Sequence, residues 1–367
     1  MADTKPTNPL PLTEEKPAVE QPAAAPTVTE AAAPEPAPAA VAEPVKPLEV
    51  TEAPKPVAAE APAASDEKKT AADAEATTAP AAAEGTKSEE AVPEVPAEPP
   101  IQQLYAAFKA QSHPEIWGVT LQDPDTHVPS QIVFQKYLNA NDGDVSAAKE
   151  QLLKTLAWRA EAKPLELAKK THSKAKFEGL GYVTEYGDST NPEKRAVFTW
   201  NVYGAASDRM AETFGNLDEF IEWRVALAEL ALARLSIATA TAPITAENDP
   251  YKITQVHDYL SISFLRRSAE VKASSTKTVA VFNQNYPETL REKFFVNVPV
   301  IMGFMYTFMK LFVAAKTLKK FHPMSNGASL AAELTTSPVE GLGEKLPAAY
   351  GGKGPELKGT AEETALA

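Results

Sequence analysis

His257 and Tyr259 stand two apart in QVHDYLS, residues 255–261, just before an alternating apolar run. On a β-strand successive side chains leave opposite faces, so this pair shares one side and Asp258 takes the other. An imidazole and a phenol facing a cavity are a donor set for a metal or a polar guest; facing ordinary core they are hydrogen-bonded packing. Arg224 poses a similar choice. Its neighbours at helical spacing, Phe220, Ile221, Leu227 and Ala228, are all apolar. Its guanidinium either serves a buried site or reaches past that face to water. Lys293, among the charges of LREKFF, reads by local pattern as a surface lysine, and Tyr203 closes an apolar strand as core.

No catalytic constellation accompanies these residues. The chain contains no GxSxG, no HExxH, no Walker loop and no GxGxxG after a strand. YGGKG, residues 350–354, lacks the strand–loop–helix context of a phosphate loop, and Asp218–Glu219 is explained by a helix start, where acids are favoured. The chain therefore reads as a binding protein and not as an enzyme. None of its 367 residues is cysteine, which removes disulfides, thiolate metal sites and cysteine nucleophiles and fits a reducing compartment. The formal charge of −13 is concentrated in residues 1–100, which hold 19 acids and 7 bases, whereas the rest of the chain holds 30 and 29. A near-neutral body lacks the basic bias that a phosphate backbone demands, so nucleic acid is not an expected partner. MADTKPTNPL has no signal-peptide core. FFVNVPVIMGFMYTFMKLFVAA, residues 294–315, is interrupted by Asn297, Pro299 and Lys310, leaving its apolar part short of the roughly 20 residues a membrane span needs.

The elements that must position these side chains are legible in outline. Residues 1–100 are Ala/Pro/Glu/Val repeats without an aromatic residue, which predicts a disordered tail. HPEIWGVTL, 113–121, reads as a loop carrying a buried Trp117. The stretch 129–167 reads as a helical hairpin broken at NANDGD, with Asp144 capping the second helix and Pro164 past its end. GYVTEY and AVFTWNVYG flank the turn GDSTNPEK as a β-hairpin, and 216–237 is a long helix capped by Asn216. The pattern predicts a strand over 253–265, and helix or turns over SSTKTVAVFNQNYPETL. KKFHPMSNGASLAAEL predicts a strand and helix pair, with LPAAYGG, 346–352, ending the ordered part. Alternating helices and strands argue for an α/β domain.

In this order the elements resemble the CRAL-TRIO lipid-transfer proteins across roughly residues 104–352. FQKYLNANDGDVSAAKEQLLKTLAWR looks like that family's N-terminal helices, YPETLREKFFVNVPVIMGFMYTFMKLF like its YPE-to-NxP stretch, and LPAAYGG like its closing LPxEYGG, with Ala349 in place of the usual Glu. WNVYG, EWRVAL, QVHDY, YPETLREKFF and NVPVIMGFMY together are most similar to the fungal phosphatidylinositol transfer proteins that bind haem.

After the compositionally disordered tail over 1–100, that resemblance implies a small all-α N-terminal subdomain over 101–170 and a CRAL-TRIO domain over 171–354. The domain would be a mixed sheet with helices and a helical gate near Pro299–Phe312, and a flexible tail would follow over 355–367. It implies a phosphatidylinositol-binding protein of the cytoplasm that meets endoplasmic reticulum or microsomal membranes peripherally and serves phosphoinositide homeostasis. It further implies haem b in the pocket, with Tyr259 as the axial iron ligand, His257 beside it, and Tyr203, Arg224 and Lys293 as further contacts. A phenol, with a pKa of about 10, ligates well only as phenolate; ferric iron and a nearby guanidinium both favour that form. A part in the oxidant stress response is implied beside the lipid role; a dedicated haem sensor or store with little lipid transfer, and a weak haem peroxidase, are the rival readings.

Overall fold

The strand that carries the site, β4 (Arg195–Val202), is buried on both faces. Ala196, Phe198 and Trp200 enter one hydrophobic cluster while Val197 enters the other, with Thr199 and Asn201 on its side. A near-continuous buried run is what a strand inside a sheet covered on both faces requires. The computed structural model describes residues 98–262, 269–298, 315–335 and 337–367. β4 pairs antiparallel with β3 (Gly181–Gly187), forming the hairpin expected from GDSTNPEK. Parallel to it follow β5 (Ile253–Asp258), β6 (Leu290–Val296) and β7 (Phe321–Pro323), in the order β3-β4-β5-β6-β7. β1 (Glu115–Ile116) and β2 (Val119–Thr120) form a separate two-stranded hairpin. They fold the stretch expected to be a loop around Trp117, which stacks on Tyr137 at 5.8 Å between ring centres.

Helices α1 (Pro100–Phe108), α2 (Val128–Ala140) and α3 (Val145–Ala162) precede the sheet. As expected, the Asp144 carboxylate accepts from the Ala147 amide at 3.0 Å and caps α3. Short helices α4 (Pro164–Leu167), α5 (Lys174–Phe177) and α6 (Met210–Gly215) lead to α7 (Leu217–Leu235), whose Asn216 cap accepts from Glu219. The acids expected to be helix-start residues have ordinary partners: Asp218 with Lys277 at 2.5 Å and Glu219 with Lys176 at 2.5 Å.

The ambiguous segment before Tyr286 is helix α8 (Ala269–Asn285). Its hydroxyl residues pose no obstacle, because Ser275, Thr276 and Thr278 donate back to the carbonyls of Val271, Lys272 and Ser274. α7 covers one face of the sheet, and α8 packs against α7, with Phe282 reaching Arg224. On the other face Leu330, Leu342, Leu346 and Tyr350 pack against Trp200, Val256 and Phe294.

Two expectations are corrected. The strand predicted over 253–265 stops at Asp258, because the Asp258 side chain accepts from the Leu260 amide and Ser261 takes φ +66°. That turn replaces ladder pairing, and residues 263–265 lie outside the described residues. Residues 355–367 are not a flexible tail. Leu357 and Thr364 are buried, Trp223 donates to Thr364 at 3.2 Å, and Glu362 bridges to Val183 on the free edge of β3. Leu366 bridges to His172, so a mostly polar stretch is held by backbone pairing and a few apolar anchors. The predicted N-terminal tail and the gate near Pro299–Phe312 fall outside the described residues. Among the described residues no helix is long and apolar enough to cross a membrane.

Candidate functional site

The sheet register assembles the site. Across β4, β5, β6 and β7, one row runs Thr199, Gln255, Lys293, Phe321 and the next runs Asn201, His257, Phe295, Pro323. By alternation both rows share the face under α7 and α8. Tyr203 and Tyr259 follow directly after β4 and β5 and close this face at the strand ends. The Tyr203 ring lies 5.4 Å from His257 and 5.6 Å from Tyr259, and Phe295 lies 5.6 Å from His257 and 6.4 Å from Tyr259. His257 and Tyr259 thus share one side, as the alternation predicts. Gly204 permits this approach, because a Cβ there would overlap the Leu260 carbonyl.

Asp258 points the other way and pins the strand end. It accepts from Asn297 Nδ2 at 2.7 Å, from Tyr350 Oη at 2.9 Å and from the Leu260 amide at 2.9 Å. Asn297 belongs to NVP and Tyr350 to AAYGG, so two motifs far apart in sequence converge on the residue between His257 and Tyr259. Ala349, where a Glu is usual, is exposed and takes no part in that network.

Arg224 descends from α7 onto this face. It is buried, which removes the reading in which it reaches to water: Nη1 donates to Asn201 Oδ1, and the guanidinium lies 5.5 Å from the Phe282 ring of α8. Among the described residues its Nε has no hydrogen-bond partner. Lys293, read as a surface lysine, instead turns inward between the rings of Phe295 and Phe321, at 5.4 and 5.6 Å. Its β6 position sets that direction, and the charges in LREKFF are spread over both faces of the strand. Burial and the nearby Arg224 bring the Lys293 ammonium down to about 7. Burial, with Lys293 and Arg224, holds His257 well below its ordinary value, so the imidazole is neutral, and among the described residues its Nε2 has no hydrogen-bond partner. Burial raises the Tyr203 phenol, with Arg224 acting in the opposite sense.

This donor set fits a ferric porphyrin chemically. It offers a phenol oxygen, an unpartnered imidazole nitrogen, aromatic walls, and two cations with no carboxylate paired to them among the described residues. A cleft continues from Arg224 along α7, lined by Thr199, Ala228, Leu232, Ile253, Phe282 and Tyr286 among others.

A second cluster was not found from sequence. Lys136, Lys252, Lys316 and Lys320 surround Asp249 and Glu288, and Lys316 also meets the exposed Asp142 at 3.9 Å. Lys136 is fully buried, donates to Asp249 at 2.6 Å and to the carbonyls of Tyr251 and Glu288, and is brought down to about 8 chiefly by burial. Lys136, Lys252 and the Lys316–Lys320 pair come from three segments far apart in the chain, so no local pattern announces them; only the Glu of YPE marks the place. The cluster lies by Ile253 and Leu290, at the opposite end of β5 and β6 from His257 and Phe295. At ~3.3 Å per residue the two clusters are roughly 13 Å apart.

A family model described as CRAL/TRIO domain matches residues 185–352, and one described as CRAL/TRIO, N-terminal domain matches residues 100–154. Phosphatidylinositol transfer protein SFH5 of Chaetomium globosum is 67% identical over 261 residues, covering 71% of this chain and 60% of that protein. The protein of the same name from Pyricularia oryzae is 63% identical over 271 residues, covering 72% and 66%. Phosphatidylinositol transfer protein sfh-5 of Neurospora crassa is 58% identical over 264 residues, covering 71% and 72%. The chain thus spans less than two thirds of the length of the first two relatives. A solved structure described as the crystal structure of Sfh5 superposes with a TM-score of 0.54 at 28% identity, covering 64% of this chain and 83% of that one.

Proposed function

We propose, since the chain belongs to the CRAL/TRIO family, that it takes up phosphatidylinositol on the helix face of its sheet and transfers it between membranes. The names of its relatives support the lipid. The observation that carries the reading is the lysine cluster around Glu288. Four ammonium groups share three carboxylates, Asp142, Asp249 and Glu288, at one end of the sheet, which leaves net positive charge for the phosphate of a lipid headgroup. Acyl chains lying along the face would gain about 25 cal/mol per Å2 of apolar surface removed from water. Peripheral contact with endoplasmic reticulum membranes in the cytoplasm, and a part in phosphoinositide homeostasis, belong to this proposal.

The lipid reading is tested by Lys316→Met/Lys320→Met. Both side chains keep some exposure, 59% and 21%, so the fold should be retained. A hydrogen bond to a charged group is worth about 1.5–3 kcal/mol, so losing two predicts at least a tenfold fall in phosphatidylinositol transfer between vesicles. Transfer at the wild-type rate in the double variant would remove the cluster from the account.

Haem b is the second part of the proposal. Tyr259 would hold the iron through its phenol oxygen, with His257 and Tyr203 beside it, and Arg224 and Lys293 would meet the propionates. When bound, the group supplies a ferric centre and a strong visible absorbance. The chain's contribution is to exclude water with Phe295 and Phe282, and to keep His257 neutral beside the phenol. A dedicated haem sensor or store with little lipid transfer is the second reading, and the unpartnered His257 Nε2 favours it, because acyl chains offer that nitrogen nothing.

A further inference from the structure

Arg224 is a buried cation with no carboxylate partner among the described residues. The acids around it are committed elsewhere. Glu229 takes Arg159 at 2.7 Å and the Tyr286 hydroxyl at 2.8 Å, and Asp258 points through the sheet to Asn297 and Tyr350. Glu288 answers Lys252, Lys316 and Lys320, and Glu292 meets His322 at 2.6 Å. The stretches SFLRRS and PVIMGFMYTFMKLFVA, residues 263–268 and 299–314, contain no Asp or Glu. What compensation Arg224 has is partial. Nη1 donates to the neutral Asn201, and the guanidinium lies 5.5 Å from the Phe282 ring and 5.9 Å from the Trp223 ring. A buried charge answered only by dipoles and ring faces is costly, so an anion beside it is favoured.

The size of the space limits that anion to a very small one. Arg224 and Ala228 of α7, Thr199 of β4, Ile253 and Gln255 of β5 and Phe282 of α8 are among the residues lining a cleft with room for about one water molecule. Larger anions would not enter it without moving its walls. Arg224 and Thr199 are 3% and 4% exposed, and each keeps a buried polar atom, Nε and Oγ1, with no hydrogen-bond partner among the described residues. The Nε–H can only donate, and the Thr199 hydroxyl has a proton to donate as well. A water held there would accept from both, but it would leave the charge unanswered and need acceptors for its own two protons. A monatomic anion accepts from both and neutralises the charge. Chloride is only slightly larger than water and is weakly held by solvent for an anion. We propose that this cleft is a chloride site, the ion held by Arg224 Nε and Thr199 Oγ1. The inference concerns the chain free of haem and lipid, so it stands on Arg224 and its cleft and not on either guest.

The experiment is thermal unfolding of the full chain, shown by absorbance and extraction to carry no haem or lipid, as sodium chloride replaces sodium gluconate at fixed ionic strength. Gluconate is too bulky for the cleft and serves as the control anion. An ion that binds only the folded chain stabilises it once its concentration passes its dissociation constant. The midpoint should therefore rise by at least about 2 °C between roughly 1 and 100 mM chloride. Bromide should act in the same way, and crystals grown in bromide should show an anomalous peak beside Arg224 Nε. Thr199→Val keeps the shape and loses the hydroxyl, so it should raise the half-maximal chloride concentration at least threefold. Arg224→Gln should abolish the response; should that variant fail to fold, Thr199→Val and the bromide peak in the wild-type chain still decide. Equal midpoints in chloride and gluconate, with no peak at Arg224, would mean that the cleft holds water and would overturn the proposal. A chloride response of full size in Arg224→Gln would be a general salt effect and would overturn it too. So would a bromide peak with no response in solution, which is binding at crystal concentration only.

Discussion

Tyr259→Phe is expected to lose the Soret band that the wild-type chain should show when purified from haem-replete cells, with haem content falling at least tenfold. The change removes one oxygen and keeps the ring, so the contacts with Tyr203 at 5.6 Å and Phe295 at 6.4 Å persist and the fold should be unaffected. The size of the effect follows from coordination. A phenolate oxygen is a ligand to ferric iron and a phenyl ring is not, and the neutral His257 beside it is a different donor that would give a different spectrum. A shifted but equally intense band in the variant would move the iron to His257. An unchanged band would exclude Tyr259 as ligand. Phosphatidylinositol transfer should survive in the variant, because the lysine cluster lies at the far end of the strands.

The second large effect concerns stability. Arg159 ends α3 fully buried and holds Glu229 of α7 at 2.7 Å and Glu115 of β1 at 2.8 Å. Glu229 also accepts the Tyr286 hydroxyl, so one guanidinium joins the N-terminal helices to the two helices that roof the site. Arg159→Leu leaves Glu229 buried without a cation. Breaking a buried pair by removing one partner costs about 3–5 kcal/mol, and the urea midpoint should fall accordingly. Arg159→Leu/Glu229→Leu should recover a substantial part, since the penalty comes from the stranded charge more than from the lost attraction. A double variant as unstable as the single one would show that packing, and not charge, is what Arg159 supplies.

How much of this was legible in the sequence depended on how local each signal was. The long helix announced itself through Asn216 and the two acids after it, and the β-hairpin through GDSTNPEK, because caps and turns act within a few residues. That His257 and Tyr259 share a side followed from the period of a strand. Lys293 was misread for a related reason. LREKFF puts charges on both faces of a strand, and only pairing with β5 and β7 reveals which face is covered. Arg224 is undecided in sequence, because only the fold brings Phe282 of α8 against its guanidinium. The helix there was itself ambiguous, since serines and threonines favour other conformations unless their hydroxyls bond back to the preceding turn. The lysine cluster had no sequence signal beyond Glu288, and the packed C-terminal stretch is polar apart from a few anchors. Both depend on contacts between segments distant in the chain.

If the helix face of the sheet holds a guest, native mass spectrometry of the chain purified from cells should show a population heavier than the bare chain. The added mass should be that of haem b or of a phosphatidylinositol, with haem lost in Tyr259→Phe. A wild-type chain that flies only at its bare mass, and gains nothing when offered haemin or phosphatidylinositol vesicles, would contradict it.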